Sequence, residues 1–161
     1  MNIRIGFGYD VHAFAEGRSL WLGGVQIDHP VGLLGHSDAD VLIHAICDAL
    51  LGAANMRDIG FHFPDSDEAY KNIDSKYLMQ KTWSLLSEAG YELGNIDSTI
   101  VAEKPKLSPY IPAMQQTLAD IIGVDQNLIS IKATTTERLG FTGRSEGIAA
   151  YATVLITRSV K

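Results

Sequence analysis

Cysteine is almost missing from this chain: Cys47 is the only one in 161 residues. No intrachain disulfide can form, and a reducing compartment is the natural setting. Cys47 itself lies in an apolar run, as a small core residue would. No apolar stretch reaches the roughly 20 residues that a membrane-spanning helix needs, so no membrane partner is expected. A dense basic stripe is missing too. Thirteen Lys and Arg stand against nineteen Asp and Glu, a formal net charge of −6, and nucleic acid is therefore not an expected partner. There is no low-complexity linker, charge block or repeat, so residues 1–161 are expected to form a single domain. The N-terminus runs almost at once into a strand pattern, with neither a basic-plus-apolar signal segment nor an Arg- and Ser-rich transit peptide. That predicts a cytoplasmic protein from a bacterium rather than a plastid.

What is present fits one ordinary globular domain, with 46% hydrophobic and 20% charged residues. A chain of this size buries roughly two-thirds of its unfolded surface and needs no metal staple, so any metal would serve chemistry. Strict alternation of Ile3, Ile5, Phe7, Tyr9 and Val11 with Arg4, Gly6, Gly8, Asp10 and His12 predicts a half-buried first strand. Gly23-Gly24 between two short apolar runs marks a hairpin over 19–27. Helices are predicted over 39–54, capped by Ser37 or Asp38; over 75–89, capped by Asp74 and stopped by Gly90; and from Ser108-Pro109 to Gly123. Strands are expected at 95–104, 128–136 and 147–158. The sum is an α/β (α+β) two-layer sandwich, a mixed sheet with three main helices packed on one face. The first helix is apolar nearly all round, more than one small sheet would cover, which suggests an oligomer interface.

The chemistry-bearing residues begin in the first strand, whose period of two sets Asp10 and His12 side by side. In the first helix Asp40, His44 and Asp48 share one face at i, i+4 and i+8. Such a polar stripe must meet polar groups, solvent or a metal. A hydrogen-bonded core histidine is the plain alternative for His44. Together, Asp10, His12 and His44 make a suitable first-row ligand set with one position open to substrate, Zn²⁺ fitting best by ligand type and Mn²⁺ or Fe²⁺ remaining open. Three further segments suit an anionic ligand. "GHSDAD" (35–40) sets His36, Ser37 and Asp38 at a helix start. "KATTTERLGFTGRSEG" (132–147) combines hydroxyls, Gly-rich bends and Glu137, a fit for a diphosphate with Mg²⁺. "EKPKLSP" (103–109) offers Lys104 and Lys106. Each has a bland counterpart in capping, β-propensity or a solvated turn.

Taken in order, "IGFGYDVHAF", "LLGHSDADVLIHAICDALLGAA", "DIGFHFPDSD", "VAEKPKL" and "IKATTTERLGFTGRSEGIA" resemble the 2-C-methyl-D-erythritol 2,4-cyclodiphosphate synthase family. The resemblance implies an enzyme that converts 4-diphosphocytidyl-2-C-methyl-D-erythritol 2-phosphate to the cyclic diphosphate and CMP in the non-mevalonate isoprenoid pathway. It implies a catalytic divalent metal, usually zinc, on Asp10, His12 and His44. A second metal, Mg²⁺ or Mn²⁺, would be held by Glu137 through the diphosphate. His36 and Thr135 would stabilise the transition state. Ser37 would flank the phosphates. Asp58, Ile59, Gly60, Phe63, Pro64, Asp65, Ser66 and Asp67 would line the methylerythritol end. Ala102, Lys106, Leu107, Ser108, Ala133 and Thr134 would form the cytidine and diphosphate pocket, with Phe141 and Arg144 completing the wall. The family implies a homotrimer with active sites between subunits. A metal-dependent nucleotide diphosphate hydrolase is the alternative that the same ligand set would serve.

Overall fold

The computed structural model describes residues 2–158. Its backbone is a five-stranded mixed sheet in the order β4-β1-β7-β5-β6, where β1 is Asn2–Ala15, β4 Gly32–Leu33, β5 Tyr91–Val101, β6 Ile129–Thr134 and β7 Gly147–Arg158. β1 and β7 pair antiparallel along nearly their whole length, β7 and β5 likewise, and β6 runs parallel to β5. Three long helices, α1 (Val41–Ala54), α3 (Ser75–Glu88) and α4 (Ile111–Ile122), lie on one face. The two-layer sandwich predicted from the sequence is the observed architecture. Two single-turn helices add detail, α2 (Ile59–His62) and α5 (Gly140–Gly143). β2 (Leu20–Leu22) and β3 (Val25–Ile27) form a separate hairpin.

Local chemistry explains most boundaries. β5 starts at Tyr91 and ends at Val101 rather than spanning 95–104, β6 ends at Thr134 rather than at 136, and two helix starts differ as well. α1 is capped by Asp40, not Ser37 or Asp38: the Asp40 carboxylate accepts from Ile43 N at 3.1 Å. It also accepts from Gly23 N and Gly24 N at 2.9 and 2.7 Å, joining the hairpin turn to the helix. Both glycines have positive φ, 58° and 73°, as a tight two-residue hairpin turn requires. α4 begins at Ile111 rather than at Ser108-Pro109, because Tyr110 N bonds Leu107 O in a turn and Pro112 occupies the first helical turn. Asp74 caps α3 as predicted, and Gly90 and Gly123 follow α3 and α4 in the left-handed conformation.

The facing of β1 reverses the expectation. Its apolar parity points away from the helices and is exposed, Ile5 at 69% and Phe7 at 64%. The parity carrying Gly6, Gly8, Asp10 and His12 packs against α1. A Cβ on Gly6 would lie 1.8 Å from Ala49 O, and one on Gly8 2.0 Å from Ala45 O. Helix backbone therefore rests on strand backbone, and only glycine allows it. α1 finds all its apolar partners within the chain, in β1, β7, β5 and α3. The surplus apolar surface belongs to the sheet, not to α1 as the sequence suggests.

Gly8→Ala is expected to destabilise the protein by about 1–3 kcal/mol or to prevent folding, since the clash is with backbone. Gly52→Ala on α1, where nothing lies within 4 Å, is expected to be neutral or stabilising by up to about 1 kcal/mol. Thermal unfolding of the two variants beside the parent checks the contrast.

Candidate active site

The close approach of α1 to β1 sets three ligand-type side chains against one another. Asp10 Oδ2 lies 3.0 Å from His12 Nε2 and 3.0 Å from His44 Nδ1, and the two nitrogens are 3.2 Å apart. Three donors about 2.0–2.1 Å from a tetrahedral zinc are about 3.3 Å from one another, so this triangle has the size such an ion needs. They form the one cluster of three or more His, Cys, Asp or Glu side chains with that spacing among the described residues. The outer nitrogens are occupied. His12 Nδ1–H donates to Leu34 O at 2.7 Å, which turns Nε2 inward, with a proton for Asp10 while the imidazole is charged and a lone pair once it is neutral. His44 Nε2 lies 3.1 Å from Ser37 Oγ and 3.0 Å from Ser75 Oγ. The chemistry of the donor set fits a first-row divalent cation.

The electrostatics agree. Burial opposes ionisation of Asp10, but hydrogen bonds and charge from His12 and His44 outweigh it and hold the carboxyl well below its usual range. Burial likewise opposes charging of His12, yet Asp10 beside it raises the imidazole above its ordinary value. In the metal-free protein, the raised His12 contributes stability that is complete below its unfolded pKa and is lost as pH rises through the folded one. The depressed Asp10 contributes stability above its unfolded pKa that is lost as pH falls through the folded one.

The triad lies in a cavity of about 230 Å³. His36 and Ser37 line it from the turn before α1, Ile59, Gly60 and Phe63 from α2 and its exit, and Asp65 from the following loop. Tyr70, Ile73 and Leu78 close the wall. The first two precede α3 and the third lies on it; nothing in their sequence spacing marks them. Asp48 on α1 accepts from Ile59 N at 2.8 Å and thereby ties the α2 wall to the helix that carries His44. Ser37, expected at the phosphates, also braces the turn, accepting from Ala39 N at 3.1 Å. Asp58 caps α2 through Phe61 N, and Asp67 caps the short turn at Ala69 while its carbonyl lies 3.3 Å from His36 Nε2. Pro64 and Ser66 belong to the same loop but do not line the cavity.

The remaining predicted residues assemble elsewhere, at the carboxyl ends of the parallel pair β5 and β6. Ala102 N donates to Thr134 O at 3.0 Å. Glu103 Oε1 accepts from Thr136 N and Arg138 N, holding the 136–138 turn against the 103–108 turn. Thr135 Oγ1 donates to Glu137 Oε1 at 3.1 Å. Lys106, Ser108, Ala133 and Thr134 are exposed here, whereas the Leu107 side chain is buried in the core and can offer only backbone. Arg144 is paired with Glu146 through two hydrogen bonds, and Phe141 is exposed on α5. Asp10 and Ala133 lie on the same ladder row, linked through Ala150 and Ile100. Three strand spacings separate them, roughly 14 Å. Within one chain the residues expected at the site therefore form two separate clusters.

Loading the triad requires neutral imidazoles, so zinc binding is expected to release protons. Affinity should fall towards tenfold per pH unit once the pH is below the raised His12 value. Calorimetry in buffers of different ionisation enthalpy, from about pH 8 to about pH 6, checks both the proton count and the slope.

The chain is similar to known proteins over nearly its whole length. The profile of the YgbB family matches residues 3–157. The 2-C-methyl-D-erythritol 2,4-cyclodiphosphate synthase of Parabacteroides distasonis is 72% identical over 158 residues, covering 98% of each chain. That of Porphyromonas gingivalis is 64% identical over 157 residues, 98% of this chain and 97% of its own. Among solved structures, IspF of Plasmodium falciparum in a CDP complex superposes with a TM-score of 0.86 at 33% identity, covering 99% of this chain and 98% of that one. The bifunctional IspDF of Campylobacter jejuni gives a TM-score of 0.95 at 46% identity over 98% of this chain, which spans 43% of that longer protein. On sequence, fold and the cavity's donor set together, this chain belongs to the YgbB family of 2-C-methyl-D-erythritol 2,4-cyclodiphosphate synthases.

Proposed function

We propose that this chain, acting over residues 1–161 as one domain, converts 4-diphosphocytidyl-2-C-methyl-D-erythritol 2-phosphate to 2-C-methyl-D-erythritol 2,4-cyclodiphosphate with release of CMP, a step of the non-mevalonate isoprenoid pathway. The observation that carries this is the convergence of Asp10, His12 and His44 inside a cavity walled by His36, Ser37, Ile59 and Gly60. The substrate's 2-phosphate attacks its own β-phosphorus. No general base is required, because a phosphate nucleophile is already ionised near neutral pH. Asp10, His12 and His44 would hold Zn²⁺ and Glu137 would hold Mg²⁺ or Mn²⁺ with the diphosphate; such ions supply Lewis-acid neutralisation of phosphoryl charge.

The chain's own groups do the rest. The cavity wall folds the methylerythritol arm so that the two phosphates meet in line, an alignment that can lower the barrier by up to about 7–11 kcal/mol. His36 and the Thr135 hydroxyl act as oriented hydrogen-bond donors to the developing charge. Lys106 and Arg144 add positive charge to an acidic protein that must receive a polyanion, and the 102–108 and 133–135 segments hold the cytidine end. Ser37 and the 58–67 segment complete the methylerythritol side.

The two clusters meet in a homotrimer, each site built from the metal-bearing cavity of one subunit and the β5–β6 end of its neighbour. The exposed apolar row Ile3, Ile5, Phe7, Tyr9 and Val11 with Tyr151 supports this, since so wide an apolar face calls for a partner. No helix among the described residues is long and apolar enough to cross a membrane, and the relatives named above from Parabacteroides and Porphyromonas are bacterial proteins, in keeping with a cytoplasmic bacterial enzyme.

Two experiments test these points. ³¹P NMR of the Zn²⁺- and Mg²⁺-loaded protein with the substrate is expected to show coupled resonances of a cyclic diphosphate with stoichiometric CMP, both lost in His44→Ala. CMP with only linear phosphates would indicate a hydrolase instead. Phe7→Asp is expected to shift the sedimentation coefficient from trimer to monomer and to remove turnover with it; a trimer that persists would place the interface elsewhere.

A further inference from the structure

Ser75 opens α3 and is completely buried, yet its surroundings are polar. Its hydroxyl lies 2.5 Å from Asp38 Oδ1, and its amide donates to Asp38 Oδ2 at 3.0 Å. An ionised carboxylate only accepts, so the hydroxyl proton of Ser75 points at Asp38. What remains on Ser75 Oγ is lone pairs, and His44 Nε2 lies 3.0 Å away. The ring is therefore the donor in that contact. A neutral imidazole with its proton on Nε2 carries a bare lone pair on Nδ1, and Nδ1 is the atom that faces Asp10 and His12. Ser37 Oγ, 3.1 Å from the same Nε2, already accepts from Ala39 N and offers the ring a second acceptor in the same direction.

We propose that Asp38 and Ser75 are positioning residues for the metal centre, a carboxylate–hydroxyl pair that selects the His44 tautomer and fixes the orientation of its ring. The proposal rests on the metal-centre reading above. His12 obtains the same result from a single carbonyl, Leu34 O, because β1 passes beside that backbone. His44 projects from a helix towards the start of another helix, and there a side-chain relay takes the place of that carbonyl. The relay is held in position by backbone. Asp38 N donates to Ile73 O at 3.0 Å and Asn72 N donates to His36 O at 2.7 Å, so the segment leading into α3 is zipped to the 36–38 turn. Ile73 lies both in that zipper and in the cavity wall. The tautomer of His44 and the shape of the cavity are thus set by the same short contact between two loops.

The test uses the full chain and Zn²⁺ alone. Affinity is measured by competition with a chromophoric chelator for the parent, Ser75→Ala, Asp38→Asn, His44→Ala and Ser84→Ala. Ser84 is an exposed α3 residue bonded only to Gln80 O and serves as a control. ¹H–¹⁵N spectra of the zinc-loaded proteins report the His44 Nε2–H and its exchange with water. Ser75→Ala is expected to bind zinc about 10–100-fold more weakly, Asp38→Asn about tenfold more weakly, and Ser84→Ala like the parent. The parent should show a slowly exchanging His44 Nε2–H, and both relay variants a rapidly exchanging one. Should Ser75→Ala fail to fold, Asp38→Asn decides by the same two readouts. Parent-like affinity with slow exchange of the His44 Nε2–H retained in the relay variants would overturn the positioning role while leaving the metal centre standing. Equal binding by the parent and His44→Ala would overturn the metal centre, and this proposal with it.

Discussion

The structure depends on one contact, the seating of α1 directly on β1. Gly6 and Gly8 offer no side chain, and the helix answers with Ala45, Ala49 and Ala53. Backbone meets backbone there at a distance that any Cβ on the strand would forbid. The same strand face continues, two residues at a time, into Asp10 and His12, and the same helix carries His44 next to Ala45. Small-residue packing and metal triad form one continuous seam. Because interiors are close-packed, a shift of the helix by one methyl group would be felt at the triad. α3 presses on the far side of α1 and brings Ser75 to the outer nitrogen of His44.

The polar residues of α1 divide their work along its length. Asp40 ties the helix start to the amides of Gly23 and Gly24, His44 faces the triad, and Asp48 holds the amide of Ile59 at the cavity wall. Each carboxylate ends on backbone N–H groups, as burial of charge demands. Cys47 lies on the same helix but takes no part: burial pushes its thiol up to about 12, so it stays protonated and inert. A helix that is apolar almost everywhere thus spends its three polar side chains on a hairpin anchor, the triad and the cavity wall.

The other face of the sheet carries a different requirement. Its aromatic and aliphatic row, with Tyr9 and Tyr151 rings 5.0 Å apart, is ordered by cross-strand pairing but left uncovered by this chain. The β5–β6 end carries Thr135 and Glu137 on exposed turns, apart from the cavity. Association of copies through this apolar face, as proposed above, would cover the row and bring the β5–β6 end of one copy to the cavity of the next.

Much of this was legible in the residues themselves. Alternation in 3–12, the Gly23-Gly24 hairpin, the Asp74 cap and the Gly90 and Gly123 stops are local signals, and local backbone preferences act over a few residues regardless of what lies beyond. The ligand set Asp10, His12 and His44 was also within reach, because period-two and period-four spacing places like side chains on one face. Only the tertiary structure decided which face of β1 is covered, since alternation gives two faces and says nothing of which one a helix will choose; the glycines choose it by admitting backbone. It decided that Asp40 rather than Ser37 or Asp38 caps α1, because amides of the distant hairpin hold that carboxylate at the helix start. It also decided the roles of Ser75, Asp38 and Glu103, whose partners lie 31 to 37 residues away in sequence. Contacts of that separation leave no period in the chain, and come into being only when the layers pack.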